Sequence, residues 1–493
     1  MNGSKLAGWG WPLLVAGIPF AAFFTLGLRY FYINGAWWGD GGILASLMWH
    51  NGWLLRLPLV SGGHSFLATH MALVFWLTSG LSWLLPFSRV QFFALFLGAV
   101  QALMALPVYY LLLRLGCQRF PAAALAVLFA FNGIVLAASC NPHFELLIVA
   151  SAMGFLAALA CGRVWLARLL FVLCLATRED AGVHLGLLLL VGGLGLRWQG
   201  VPWRGLRPLL GYGMAALGCS ALEVALQHLL FPGGGALEAV YLGDPPLSGL
   251  TFIVLATRLA FYVLYRLYLI LPAAVALVLA ERWRMPGLVA GFVSCLPWLG
   301  LNWLAASPYA GTLSDYYPFP LILALFWPLC APLFAQGYGV ARQFPQARAV
   351  LAFILLLGAS FVGLWGLQNP QGLKFPASFF NPPSLAMQHA TERAMARLTQ
   401  AKLGHVAVDG SVAALAPDHY RDTQIAWMNQ PVPPDVVIFF PRGQGTGPTL
   451  RLARQAGLRH FYAVPGTSLR LASAKPLVVP GLALSPWAPA GAR

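Results

Sequence analysis

A chain of 493 residues that is 59% hydrophobic, only 9% charged and +16 in net charge, with a mean hydropathy of +0.73, carries far more apolar sequence than a soluble core needs. Apolar runs recur from 11–28 to 350–367, each long enough to cross a hydrocarbon layer of ~30 Å, which excludes an ordinary soluble enzyme. The basic residues are dispersed and lack aromatic platforms, which argues against nucleic acid as a partner, and the seven cysteines form no CxxC pair, which argues against a disulfide framework or a zinc site.

The first apolar run follows Lys5 and no small-residue cleavage site comes after it, so it reads as a retained helix, not a removed signal peptide. Spanning helices are predicted at 11–29, 91–113, 121–139, 144–161, 167–177 extended by its flanks, 181–196, 208–230, 260–280, 287–305, 318–336 and 349–368, about eleven in all. A further apolar stretch, 66–86, decides the orientation of everything after it. If it does not cross, the cytoplasmic segments hold twelve basic residues: Lys5, Arg114, Arg119, Arg163, Arg168, Arg197, Arg204, Arg207, Arg282, Arg284, Arg342 and Arg348. The outer loops before the tail then hold four, Arg29, Arg56, Arg89 and Arg178, with Arg258 and Arg266 counted with the apolar face they flank. If it crosses, the balance becomes three inside against thirteen outside. Basic residues are retained in the cytoplasm, so 66–86 is predicted to be a juxtamembrane or re-entrant element inside a long first outer loop, 30–90. The N-terminus is then cytoplasmic. Asp40, Glu145, Glu179, Asp180, Glu238, Asp244 and Asp315 fall outside, Glu223 lies in a span, and Glu281 is cytoplasmic.

The composition changes after about residue 370. Within 371–493 a helix is predicted at 384–400, strands at 405–408, 435–440 and 460–464, and a helix at 449–457. The fold expectation is therefore an all-α polytopic transmembrane bundle over 1–370 with a small, non-cytoplasmic α/β domain over 371–493.

Several outer motifs could carry chemistry. Trp37-Trp38-Gly39-Asp40-Gly41-Gly42 places a carboxylate among glycines just beyond the first helix, either as a helix cap or as a general base or metal ligand. Asn141-Pro142-His143-Phe144-Glu145 puts His143 and Glu145 two apart, facing one cleft if extended, or forms a polar loop capped by Asn141. Thr177-Arg178-Glu179-Asp180 sets three ionisable groups between apolar runs. They must pair internally or meet a ligand, for which the Arg178 fork suits a phosphate. Ser314-Asp315-Tyr316-Tyr317-Pro318 offers interface anchors or ligand contacts. His64 and His70 lack further metal-ligand spacing, Arg258 snorkels or holds a lipid phosphate, and Glu223 and His228 are ionisable groups within a span.

A first helix, a long outer loop with an early Asp, a re-entrant stretch, many spans and an outer α/β tail together resemble the C-type (GT-C) membrane glycosyltransferase superfamily. Within it, Gly39-Asp40-Gly41, Gly63-His64, the 141–145 motif, Arg178-Glu179-Asp180, Tyr316-Tyr317-Pro318 and 432–441 are similar to a bacterial family of membrane proteins known only as a domain of unknown function. The resemblance implies that Asp40 activates the acceptor or binds a metal and that Arg178 holds the lipid phosphate. Glu179, Asp180, His64, His143, Glu145, Asp315, Tyr316, Tyr317 and Arg258 would complete substrate binding. A divalent Mg or Mn, if used, would rest on Asp40 with His143 or Glu145. The paired acids of many relatives are here one Asp followed by Gly41, and the histidine-bearing 141–145 motif is not general, so metal dependence stays open.

Nucleotide sugars are confined to the cytoplasm, so a transferase working on the outer face of a bacterial cytoplasmic membrane needs a membrane-anchored donor such as a polyprenyl-phosphate sugar. The expectation is an inverting transfer to an acceptor glycan, lipid or protein, with membrane lipids as surroundings. The alternatives are a transporter or flippase, against which no repeat of the two halves is evident, and a scaffold that binds through its tail.

Overall fold

The computed structural model describes residues 3–34, 40–55, 65–139, 141, 143–232, 238–243, 245–247, 249–314, 316–336, 346–364, 377–401, 403–415, 423–425, 432–441 and 446–488. The chain is mostly helical, with several long apolar helices and one small sheet.

Helix α1 (Gly3–Arg29) runs into a π-helical turn, Tyr30–Asn34, and α2 (Asp40–Met48) follows. The 66–86 stretch forms a 3-10 turn, Phe66–Ala68, and α3 (Val74–Ser82). At nine residues α3 reaches only ~14 Å and cannot cross a hydrocarbon layer of ~30 Å. It buries Val74, Phe75, Thr78 and Ser79, and exposes Trp76, Leu77 and Leu81.

Helix α4 (Arg89–Arg114) begins at a capping box, in which Ser88 accepts from the Gln91 amide and the Gln91 side chain accepts from the Ser88 amide. It lies along α1 at very close range: a Cβ added to Gly98 would fall 2.7 Å from the Phe20 carbonyl oxygen, so the backbones touch as they do at small-residue membrane interfaces. Then come α5 (Arg119–Ala130), α6 (Gly133–Ala138), α7 (Leu146–Ala160), α8 (Val164–Leu175), α9 (Ala181–Trp198) and α10 (Trp203–Leu230). Helices α11 (Phe252–Tyr265) and α12 (Leu267–Trp283) are bent by 80° at Arg266. The shorter α13 (Ala290–Ser294), α14 (Leu296–Trp303) and α15 (Pro308–Gly311) lead to α16 (Leu321–Ala335) and α17 (Gln346–Val362).

Among the described residues, five helices are long and apolar enough to span a membrane (Gly10–Ile33, Arg89–Arg114, Arg119–Ala138, Ala181–Trp198 and Trp203–Leu230), or six if the bent pair is one span. The expected spans at 144–161, 167–177, 318–336 and 349–368 fall on apolar helices of 10–17 residues, and 287–305 is divided between α13 and α14. Beside two of these pieces, α7 and α8, the polar loop residues Glu145, Thr177 and Arg178 are buried.

The tail contains α18 (Ala377–Phe380), α19 (Leu385–Gln400), β1 (Val406–Val408), α20 (Gly410–Leu415), β2 (Thr423–Ile425), β3 (Val436–Phe439), α21 (Thr446–Gln455), β4 (His460–Ala463), β5 (Arg470–Ser473) and β6 (Ser485–Pro486). The strands form one sheet in the order β2-β1-β3-β5-β4-β6, with β1 parallel to β2 and β3 and the remaining pairs antiparallel. All four β3 residues are buried, since both sheet faces are covered. Val436 and Ile438 join a core with Ala394 and Leu398 of α19, while Val437 and Phe439 join one with Ala453 of α21 and Leu458.

The tail is seated on the end of the bundle where α1 finishes. Arg29 Nη1 donates to the Asn381 carbonyl at 2.7 Å, the Tyr32 hydroxyl donates to Glu392 Oε1 at 2.6 Å, and Phe379 lies 5.3 Å from Phe23 and 5.8 Å from Phe131.

Candidate functional site

The charged motifs converge at this same end. Arg178, in the turn between α8 and α9, is 5% exposed, and Glu145, just ahead of α7, is 0% exposed. The guanidinium donates from Nε to Asp180 Oδ1 at 2.6 Å, from Nη2 to Asp180 Oδ2, and from Nη1 to Glu145 Oε1. Its fork is thus closed on two carboxylates, and Phe319 flanks it, 5.8 Å from ring centre to Cζ. Of the two readings that the sequence leaves open for Arg178, this geometry is the internal latch.

Neighbouring groups extend the cluster. His184, one helical turn beyond Asp180, places Nε2 3.3 Å from Asp180 Oδ2 and is walled by Trp298 and Phe319. Glu179 turns the other way, taking His70 Nδ1 at 2.8 Å and the Met71 amide at 2.8 Å. The Val74 amide donates to the Ala176 carbonyl at 2.7 Å, so the 66–86 stretch is pinned to the same turn. His143 pairs through Nδ1 with Glu145 Oε2, and its ring stacks on Tyr316 at 3.9 Å, with Tyr317 on the far side of Tyr316 at 4.7 Å. Asn141 is buried, and its Oδ1 has no hydrogen-bond partner among the described residues.

The electrostatics follow from this packing. Burial opposes ionisation of Asp180, but the Arg178 guanidinium and His184 outweigh it and hold the carboxyl far below its usual range. Glu179 is lowered too, because His70 overcomes burial. Burial, with Arg178 and His70 nearby, keeps His143 well below the ordinary imidazole range and therefore neutral at pH 7. Burial also lifts the Tyr316 phenol, helped by Tyr317 and by the charge of Asp40 against the opposing pull of Arg178. Asp40 heads α2 and is half-buried, and its field at Tyr316 puts it beside the cluster.

Arg258 belongs to a separate group. It is buried, with Nη1 donating to the Trp303 carbonyl at 2.6 Å. Arg266, at the bend, donates Nε to the Thr312 and Leu313 carbonyls at 3.0 Å each and Nη2 to Ser314 Oγ at 3.0 Å. Neither has a carboxylate within ion-pair range among the described residues. His64 and Asp315 lie outside the described residues, as do Trp37, Trp38, Gly39 and Pro142.

A divalent metal on Asp40 with His143 or Glu145 does not fit these donors. Glu145 is committed to Arg178 and His143, and no three His, Cys, Asp or Glu side chains converge suitably among the described residues.

Reasoning from the sequence did not single out His184, Phe319 or Trp298. The signal for His184 was present, as Asp180 and His184 are four apart on one helical face. The aromatic walls carry no local signal, because apolar residues in α14 and in the turn before α16 look the same whether they face lipid or a site. No family model matches this sequence, and no curated protein matches it either.

Proposed function

We propose that the chain is a GT-C-like inverting glycosyltransferase of the bacterial cytoplasmic membrane, with about eleven membrane-crossing segments. It would move a sugar from a polyprenyl-phosphate donor to an acceptor hydroxyl on the outer face. The observation that carries this reading is the gathering of Asp40, His70, Asn141, His143, Glu145, Arg178, Glu179, Asp180, His184 and Tyr316 at one end of an apolar bundle, beneath a tail domain. Membrane helices bury such a set of polar groups only where function or mutual pairing keeps them.

In this mechanism Asp40 accepts the proton of the acceptor hydroxyl, whose oxygen attacks the anomeric carbon as the bond from that carbon to the phosphate oxygen breaks. One base and direct displacement invert the configuration, and polyprenyl phosphate leaves with the bonding electron pair. The sequence-based assignment of the phosphate to Arg178 is moved. With Glu145, Glu179 and Asp180 all close by, an anion there would be repelled. Arg258 and Arg266, which donate to carbonyls and a hydroxyl rather than to acids, are the better cations for the phosphate. Arg178 instead fixes Glu145 and Asp180, leaving the Asn141 amide oxygen to take a hydrogen bond from a sugar hydroxyl.

The test is release of polyprenyl phosphate from a panel of lipid-linked sugars by protein in nanodiscs, with acceptors supplied. Asp40→Asn should slow turnover by about 100-fold or more while leaving the protein folded. Equal turnover in both proteins removes Asp40 from the chemistry, and folded wild-type protein that turns over no donor shifts the reading to a transporter or flippase.

A further inference from the structure

Helix α20 belongs to two cores at once. Val412 and Ala413 sit in the tail's core with Ile438 and Leu471, Ala414 sits in the bundle's core, and Leu415 touches both. Its residues Gly410, Ser411, Val412, Ala413 and Ala414 are all buried. It also comes very close to α2. A Cβ built on Gly42, two residues on from Asp40, would lie 1.8 Å from the Gly410 carbonyl oxygen, 2.9 Å from its carbonyl carbon and 3.2 Å from the Ala413 Cβ. The obstacle is mainly backbone, which cannot swing aside as a side chain could. Gly41 is buried as well, which gives a physical reason for glycines directly after Asp40.

Helix α2 has nine residues, and isolated helices shorter than ~12–15 residues are marginal, so its geometry is borrowed from whatever it rests on. We propose that α20 is the platform that sets the position of Asp40, which makes Gly42 a positioning residue and the tail an integral part of the site. The kinetic consequence rests on the glycosyltransferase reading; the platform itself does not. A base displaced by ~1 Å from its reacting proton loses on the order of 100-fold in rate, whereas donor binding, held by other elements, is untouched.

The experiment compares full-length wild type, Gly42→Ala and Gly52→Ala in nanodiscs; an added Cβ at Gly52 meets nothing within 4 Å. Gly42→Ala is expected to lower kcat for polyprenyl phosphate release by about 10- to 100-fold, with KM for the donor held within about twofold. Amide hydrogen exchange in α2 and α20 should quicken together, and Gly52→Ala should match wild type in every respect. An unchanged kcat, a change confined to KM, or faster exchange in α20 alone overturns the proposal. If wild type turns over no donor, the glycosyltransferase reading fails and exchange judges the platform: joint loosening of α2 and α20 supports it, and independent behaviour removes it. Should Gly42→Ala not assemble, Leu415→Ala, which trims a side chain of α20 packed against both cores without a clash, carries the same expectations.

Discussion

Removing the Arg178 guanidinium leaves Glu145, 0% exposed, with a buried charge and no cation to answer it. Breaking such a pair from one side costs about 3–5 kcal/mol, so Arg178→Ala should markedly destabilise the bundle. Arg178→Lys should recover little, because an ammonium cannot span Glu145 and Asp180 as the fork does. Adding Glu145→Gln to Arg178→Ala should restore part of the loss, giving a non-additivity of about 1–3 kcal/mol. Unfolding followed by tryptophan fluorescence checks this; an Arg178→Ala protein as stable as wild type would show that the latch holds nothing together. At this scale the sequence was half legible. Three ionisable residues between apolar runs cannot be buried alone, so Thr177-Arg178-Glu179-Asp180 announces a pairing. The partners do not announce themselves, since Glu145 lies 33 residues away and His70 lies 109 residues from Glu179, and only the helix packing brings them together.

Asp409 makes the corresponding case for an element. It caps α20, with the Ser411 amide donating to its Oδ1 at 3.3 Å and its own amide donating to the Ile438 carbonyl at 2.9 Å. Only 2% exposed, it is pushed up to about 6 by burial, against backbone donors that pull it down. The folded tail therefore keeps a proton that the unfolded chain, at its ordinary value near ~3.8, has already released. Between those values the native state binds more protons, so stability falls as pH rises, is highest below ~3.8 and has lost about 3 kcal/mol once pH passes about 6. Asp409→Asn keeps a good cap without the charge. It should flatten that slope and slow exchange of the α20 amides at pH 7.5 more than at pH 5; the same slope in both proteins would show that another group titrates. The long apolar helices, α19 and β3 were legible because length and period carry them. Helix α20 was not: Gly410-Ser411-Val412-Ala413-Ala414 is buried all round, so it has no polar face to set a period. Strands β2 and β6, of three and two residues, are too short to alternate, and the bend at Arg266 has no proline to mark it.

The whole molecule joins these scales through its polarity. The tail is bonded to Arg29 and Tyr32 at the finish of α1, and the Tyr30 hydroxyl reaches the Ser139 carbonyl at 2.5 Å, beside the 141–145 loop. The acidic cluster, Asp40 and the tail therefore share one end of the bundle. Arg114 and Arg163 both lie near Cys161 at the opposite finish of α4 and α7, with Arg197 over Trp203 where α9 turns into α10. In the orientation we propose, charge bias keeps that second end in the cytoplasm and the tail lies outside. In a cysteine-free background, a cysteine replacing the exposed Arg454 of α21 should react with a membrane-impermeant maleimide in intact cells or spheroplasts, and one replacing the exposed Arg204 should react only after lysis. Labelling at 204 and protection at 454 would invert the protein, placing Asp40 where nucleotide sugars are plentiful and removing the reason for a lipid-linked donor. Outside labelling at 454 is the outcome that the proposed membrane-anchored donor requires, because it puts Asp40 on the face where nucleotide sugars are lacking.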